Sequence, residues 1–80
     1  MSSPLLQCAC CDYFSLTDGD WEICPVCFWE DDSVQFRNPE YEGGANKVSL
    51  KDARQNFLDY GVSELCFKSD VRPPRPEEHP

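Results

Sequence analysis

Two Cys-x-x-C pairs, Cys8-Ala9-Cys10-Cys11 and Cys24-Pro25-Val26-Cys27, with twelve residues between them, constrain this chain more than any other feature. A two-residue gap lets one tight turn present both sulfurs to a single ion while amides of the turn donate to the thiolates. Two such knuckles complete a tetrahedral set of four thiolates, the arrangement that structural zinc prefers. The segment between them is slightly shorter than the common version of the motif, yet long enough for one hairpin that brings the knuckles together. The candidate metal ligands are therefore Cys8, Cys11, Cys24 and Cys27. The first and fourth positions of a knuckle ligate and the third faces away, so Cys10 is a spare thiol, and the spacing leaves open whether it can replace Cys8. Cys66, between Leu65 and Phe67, reads as a small buried hydrophobe. His79 lies in a proline-rich end and reads as solvated.

Chain length explains why sulfur is needed. Eighty residues make one thin domain that buries little of its unfolded surface, and chains of this size add disulfides, a metal or a partner. Residues 1–7 form a short leader without the basic start and apolar stretch of a secretory signal. No apolar run is long enough for a membrane span. A reducing cytoplasm is the expected setting, where paired cysteines mean metal or redox chemistry more often than structural disulfides.

Two other uses of the cysteines compete with zinc. A redox Cys-x-x-C sits at a helix start after a strand in a βαβ context, and neither pair here has that surrounding. Iron held in a rubredoxin-like way uses the same four sulfurs, and electron transfer is then the alternative function. No catalytic set emerges. The single histidine, His79, is terminal, which argues against a Cys-His dyad, and four thiolates leave zinc without the open position that catalysis requires. The expectation is a protein without enzymatic activity.

Along the chain, residues 8–70 form the metal-binding domain. Knuckles and hairpin occupy 8–36, with Tyr13-Phe14-Ser15-Leu16 and Trp21-Glu22-Ile23 as two short antiparallel strands around a Thr17-Asp18-Gly19-Asp20 turn. A further short strand is expected around Val34-Gln35-Phe36, and Glu30-Asp31-Asp32 reads as a solvated acidic turn. Residues 37–48 are a loop, punctuated by Asn38-Pro39 and by Gly43-Gly44-Ala45-Asn46. Residues 49–60 are helical: Ser49 is the N-cap, Leu50, Ala53, Phe57 and Leu58 recur at helical spacing, and Gly61 is the stop. A short turn follows at 63–69. Residues 71–80 hold too many prolines for a helix or a central strand, so an extended tail, mobile toward its end, is expected. The fold class is a small α+β metal-bound domain, a zinc-ribbon or rubredoxin-like double knuckle with a β-hairpin, one α-helix and a proline-rich tail.

Charge separates the function classes. Nine of the fifteen acids but only one of the seven bases, Arg37, precede Gly43, so the cysteine half carries the whole formal charge of −8. Such a field repels phosphate backbones and attracts basic surfaces. A zinc ribbon that reads nucleic acid needs a basic stripe, which this half lacks. The leading function is a zinc-stabilised acidic module that binds a basic protein through Trp21, Phe28 or Trp29 and the neighbouring acids. An immunity or antitoxin protein covering a basic nuclease is one version of it. The competing reading of these aromatics is packing around the metal. The oligomeric state is not fixed by the sequence.

Several segments in order resemble the cysteine-rich CPCC family of small, mostly bacterial domains. The matching residues are Ile23 to Cys27, Phe28 to Asp32, Gly43 to Asn46, Ser49 to Phe57 and Val71 to Pro74. Ala9 stands where the family has proline, and Asp12 where glycine is typical, which predicts a looser first knuckle, although aspartate can visit the left-handed region. The resemblance implies metal binding and no established activity.

Overall fold

The chain pairs with itself across each knuckle, not between the two. In the computed structural model, which describes residues 5–80, Leu6 bridges Leu16 and Ile23 bridges Glu30, both antiparallel. The first part of the expected leader, residues 1–4, lies outside the described residues. These isolated bridges replace the expected hairpin between 13–16 and 21–23, because the backbone groups of both segments are already engaged. Leu16 exchanges hydrogen bonds with Leu6 at 2.7 and 3.1 Å, and Tyr13 O accepts from Cys8 N at 2.9 Å. On the other side, Trp21 N donates to Asp31 O and Asp31 N donates to Glu22 O, each at 2.9 Å. The turn between the segments closes on a side chain: the Glu22 carboxylate accepts from the amides of Thr17, Asp18 and Gly19 at 2.8–3.0 Å.

A short helix, α1 (Ser33–Arg37), stands where a strand is expected around Val34-Gln35-Phe36. Asp32 is the reason. It is buried, so the acidic run is not simply solvated, and its Oδ1 accepts from Val34 N at 2.8 Å as an N-cap. The Oδ2 of the same carboxylate accepts from Ala45 N at 2.9 Å. The Asp32 carboxyl is thereby held below its usual range, first by the Ala45 amide, with burial opposing.

One turn further, fully buried Gln35 organises the loop. Its amide nitrogen lies 3.0–3.2 Å from the carbonyls of Tyr41, Asn46 and Val48. Its oxygen accepts from the backbone and side-chain nitrogens of Asn46. Asn46 in turn brackets Glu30, accepting from its N–H at 2.8 Å and donating to its C=O at 2.7 Å. The loop over 39–48 is thus wrapped on buried polar side chains whose bonds are satisfied, which makes such a network rigid. Gly44 is required by closeness: a Cβ there would stand 2.6 Å from Asp32 Oδ2 and 2.9 Å from Gln35 Cδ.

The long helix, α2 (Leu50–Tyr60), agrees with its expected span, with Ser49 Oγ accepting from Asp52 N at 3.1 Å and Gly61 at φ 78° as the stop. Its buried stripe is narrower than the spacing suggests. Leu50 and Ala53 are buried and Phe57 is half-buried, while Leu58 is 78 % exposed. The expected turn at 63–69 is a 3-10 turn, Leu65–Asp70, and it overturns the reading of Cys66, which is exposed. Phe67 takes the inward direction instead and packs on Phe28 at a ring separation of 4.3 Å.

The tail is extended over 71–75 but does not stay free. Arg72 N donates to Pro25 O at 3.0 Å, on the second knuckle, and Phe14 N donates to Glu78 O at 2.7 Å, beside the first. Pro76–Glu78 forms a 3-10 turn, and buried Glu78 receives both arms of Arg72 at 2.9 and 2.7 Å. Exposed His79 still touches Tyr13, edge-on at 5.2 Å. The expected free tail is therefore a strap across both knuckles. Proline permits it because this segment needs few backbone donors and the 3-10 turn begins at Pro76.

The core is unusual in composition. Five of the ten residues in its buried cluster are cysteines, and the apolar remainder is Leu16, Val26, Trp29, Leu50 and Ala53. So little hydrocarbon makes a marginal core, the situation in which small domains add a metal, disulfides or a partner. Among the described residues, no helix is long and apolar enough to cross a membrane.

Candidate metal centre

Each knuckle is built by the same backbone device. Asp12 N donates to Cys8 O at 2.9 Å and Phe28 N to Cys24 O at 2.8 Å, while Cys8 N and Cys24 N donate to Tyr13 O and Trp29 O, each at 2.9 Å. The residue after each pair turns left-handed, with φ 69° at both Asp12 and Phe28. Asp12 thus serves where glycine is typical, as aspartate's tolerance of this region allows. Phe28 does the same without any such tolerance, and its ring is held by Phe67. An aromatic residue carries no sequence signal for that backbone conformation.

The two knuckles bring Cys8, Cys11, Cys24 and Cys27 together with all four sulfurs within 4.8 Å of one another. Cys8 Sγ lies 3.6 Å from Cys27 Sγ, and Cys11 Sγ 3.8 Å from Cys24 Sγ. A tetrahedron with metal–sulfur bonds of about 2.3 Å has edges of about 3.8 Å, so the spacing suits a single ion. None of the four is bonded as a disulfide. Cys8, Cys24 and Cys27 are fully buried and Cys11 is 7 % exposed. The sulfurs also receive polar contacts: Ser15 Oγ is 2.9 Å and Val26 N 3.3 Å from Cys24 Sγ.

Crowding splits the acidities of these thiols. Cys24 is driven below the ordinary thiol range, chiefly by its hydrogen bond with Cys11 and then by Cys27 and Cys8, with Ser15 adding to them against burial. Cys11 is driven up, foremost by that same bond with Cys24. Cys27 is also driven up, first by Cys10 and then by Cys11, Cys24 and Cys8. Negative charge is thus favoured on Cys24, while Cys11 and Cys27 hold their protons more tightly than ordinary thiols. A dication in place of those protons satisfies all four sulfurs together, which is how metal binding couples to thiol ionisation. The cluster could therefore hold a metal ion, with four-sulfur chemistry suiting zinc or iron.

The remaining candidates fall outside the cluster. Cys10 is buried and free but is not among the four clustered sulfurs. Of the three aromatics singled out by the sequence, Trp29 is core at 1 % exposed, Phe28 is half-buried, and Trp21 stands on the surface at 60 %. Of the buried trio Asp32, Gln35 and Asn46, the sequence alone suggests an acidic turn, a short strand and a loop signal respectively, and none of these patterns points to a shared network. A polar residue at Gln35 within an otherwise short helix is a signal only when its loop partners are known.

A family model described as "Cysteine-rich CPCC" matches residues 6–78. No curated protein matches the chain.

Proposed function

The chain belongs to the cysteine-rich CPCC family, and from that premise we propose that it is a zinc-held scaffold without catalytic activity whose acidic surface binds a basic protein. The observation that carries the reading is the closed cluster: four sulfurs within 4.8 Å of one another, none more than 7 % exposed. Zinc enclosed by four thiolates stabilises a fold and offers no position to a substrate.

Function then belongs on the surface. Trp21 is 60 % exposed and is flanked in sequence by exposed Asp18 and Asp20. Nearby Asp31 has its carboxyl raised, first by burial and then by the charges of Asp20, Asp32 and Glu22, so acids there repel one another. A cationic partner relieves that repulsion and finds an aromatic face beside it. An immunity-type role toward a basic nuclease is the narrower form of this proposal.

The test is a pull-down from native cells at low salt, with metal content and visible spectrum recorded on the purified chain. The expected result is a colourless zinc protein that retains a basic protein and releases it as salt rises. An iron-coloured protein, or retention of nucleic acid at physiological salt with no basic protein, contradicts it.

A further inference from the structure

A groove of about 410 Å³ opens beside the first knuckle, a volume within the range of ligand sites. Asp12, Asp31, Ser33, Phe36 and Arg54 line it. Asp31 is the carboxylate there without a use inside the fold. Its neighbours are committed: Asp32 takes the amides of Val34 and Ala45, and Glu22 takes those of Thr17, Asp18 and Gly19. Among the described residues the Asp31 side chain accepts no hydrogen bond, and the one ion pair is Arg72–Glu78. The Asp31 main chain is nevertheless fixed, its N–H bonded to Glu22 O and its C=O to Trp21 N at 2.9 Å each. A half-buried carboxylate that is held in place, has acids around it and lacks a donor favours a cation beside it.

The rest of the lining selects which cation. Phe36 is 57 % exposed on α1, whereas Gln35 before it is fully buried, so the groove carries an aromatic side chain that the core does not use. A planar guanidinium stacks on an aromatic face and forks onto a carboxylate, where an ammonium offers a point charge. The chain's own arginines nearby are engaged by backbone: Arg54 Nε donates to Ala9 O at 2.9 Å and Arg37 Nε to Ser33 O at 3.3 Å, and neither pairs with a carboxylate. Two carboxylates against one guanidinium leave the lining net negative. We propose that this groove receives an arginine side chain of a basic partner, with Asp31 taking the guanidinium and Phe36 stacking on it. The proposal rests on the acidic-surface reading and gives that reading a contact point apart from Trp21.

The experiment is an NMR titration of the full chain as purified, at low salt, with a capped Gly-Arg-Gly peptide and its lysine and citrulline counterparts. Backbone amides and the Phe36 ring are followed. The expected result is saturable shifts at Asp31, Ser33 and Phe36 with arginine, none with citrulline, and an affinity about threefold lower for lysine. Asp31→Asn should weaken arginine binding about tenfold, and Phe36→Ala about threefold. The Asp31 side chain makes no bond in the fold and Phe36 is exposed, so both variants should keep dispersed amide resonances. A chain with Asp18→Asn and Asp20→Asn, beside Trp21, should lose less than about twofold, because exposed charges at a distance are screened. Lysine binding as tightly as arginine, or arginine binding that survives Asp31→Asn but not the Asp18 and Asp20 changes, overturns the groove and leaves the acidic-surface reading standing. The same shifts on concentrating the chain alone would assign the groove to a second copy and overturn the proposal. It also falls if no peptide binds, and the pull-down then decides the broader reading separately.

Discussion

The two knuckles share a backbone and differ in what surrounds it. Both close with the same pair of hydrogen bonds and the same left-handed residue. The second is gripped by the backbone of distant segments: Ser63 N donates to Cys27 O at 2.8 Å and Arg72 N to Pro25 O at 3.0 Å. It also abuts the Asp32–Gln35–Asn46 network through Glu30. The turn of the first is held directly by exposed side chains, Arg54 Nε on Ala9 O and Gln7 Nε2 on Asp12 O, each at 2.9 Å, and the strap reaches it only beside the turn, where Phe14 N donates to Glu78 O at 2.7 Å. Long exposed side chains cost entropy to fix and contribute little each. Identical turns can therefore have unequal local stability, with the first knuckle the one that opens first.

The largest test of that asymmetry replaces ligands one at a time. Structural zinc contributes on the order of 10 kcal/mol, comparable to the whole stability of a small domain. Cys24→Ser is expected to abolish the cooperative thermal transition. Cys8→Ser is expected to lose it too, but to keep dispersed amide resonances over 24–48 by NMR. Collapse of both regions alike in Cys8→Ser breaks the comparison.

A smaller effect is expected at Gly44, where an added methyl meets Asp32 and Gln35. Overpacking of this kind costs about 1–3 kcal/mol, so Gly44→Ala should lower the denaturation midpoint while leaving zinc affinity nearly unchanged. An unaltered midpoint would mean that the network does not support the second knuckle.

The strap gives a pH dependence. Its hydrogen bond with Arg72 holds the Glu78 carboxyl below its ordinary range, against burial, with the Arg75 amide assisting. A carboxyl lowered in the folded state adds stability above its unfolded pKa of about 4.3. That contribution is lost as pH falls through the lower folded value. Glu78→Gln should therefore cost about 1–2 kcal/mol near neutrality, and the difference from wild type should shrink below pH about 4. A difference that persists in acid would assign the effect to packing and not to charge.

The smallest effects sharpen the comparison most. Asp12→Gly relieves a left-handed φ and should stabilise by up to about 1 kcal/mol. Phe28→Gly relieves the same angle but removes the stack on Phe67, so net destabilisation is expected. Matching signs in chemical denaturation would show that the surroundings of the knuckles do not matter.

The sequence discloses the parts of this molecule that depend on local spacing. The grouping of Cys8, Cys11, Cys24 and Cys27 and the helix Leu50–Tyr60 between its Ser49 and Gly61 caps are of that kind, because a turn or a cap involves only neighbours. Misread parts depend on partners far along the chain. Tyr13–Leu16 and Trp21–Ile23 look like strands for one another, but each finds its hydrogen bonds across its own knuckle. Asp32 looks solvated until Ala45 arrives at its carboxylate, and the proline tail looks free until Glu78 meets Arg72 and Phe14. Cys66 and Phe67 compete for one inward direction in a 3-10 turn, and composition favours neither. The sequence likewise carries no sign of the left-handed backbone at Phe28.

The central claim is that one ion held by four buried sulfurs keeps this fold together. Native mass spectrometry on the intact chain, before and after a strong chelator, with far-UV circular dichroism on the same samples, tests it most directly. The account predicts one zinc per folded chain, lost together with the compact charge-state distribution and the helical signal of Leu50–Tyr60. A chain that remains compact and helical without metal would contradict it.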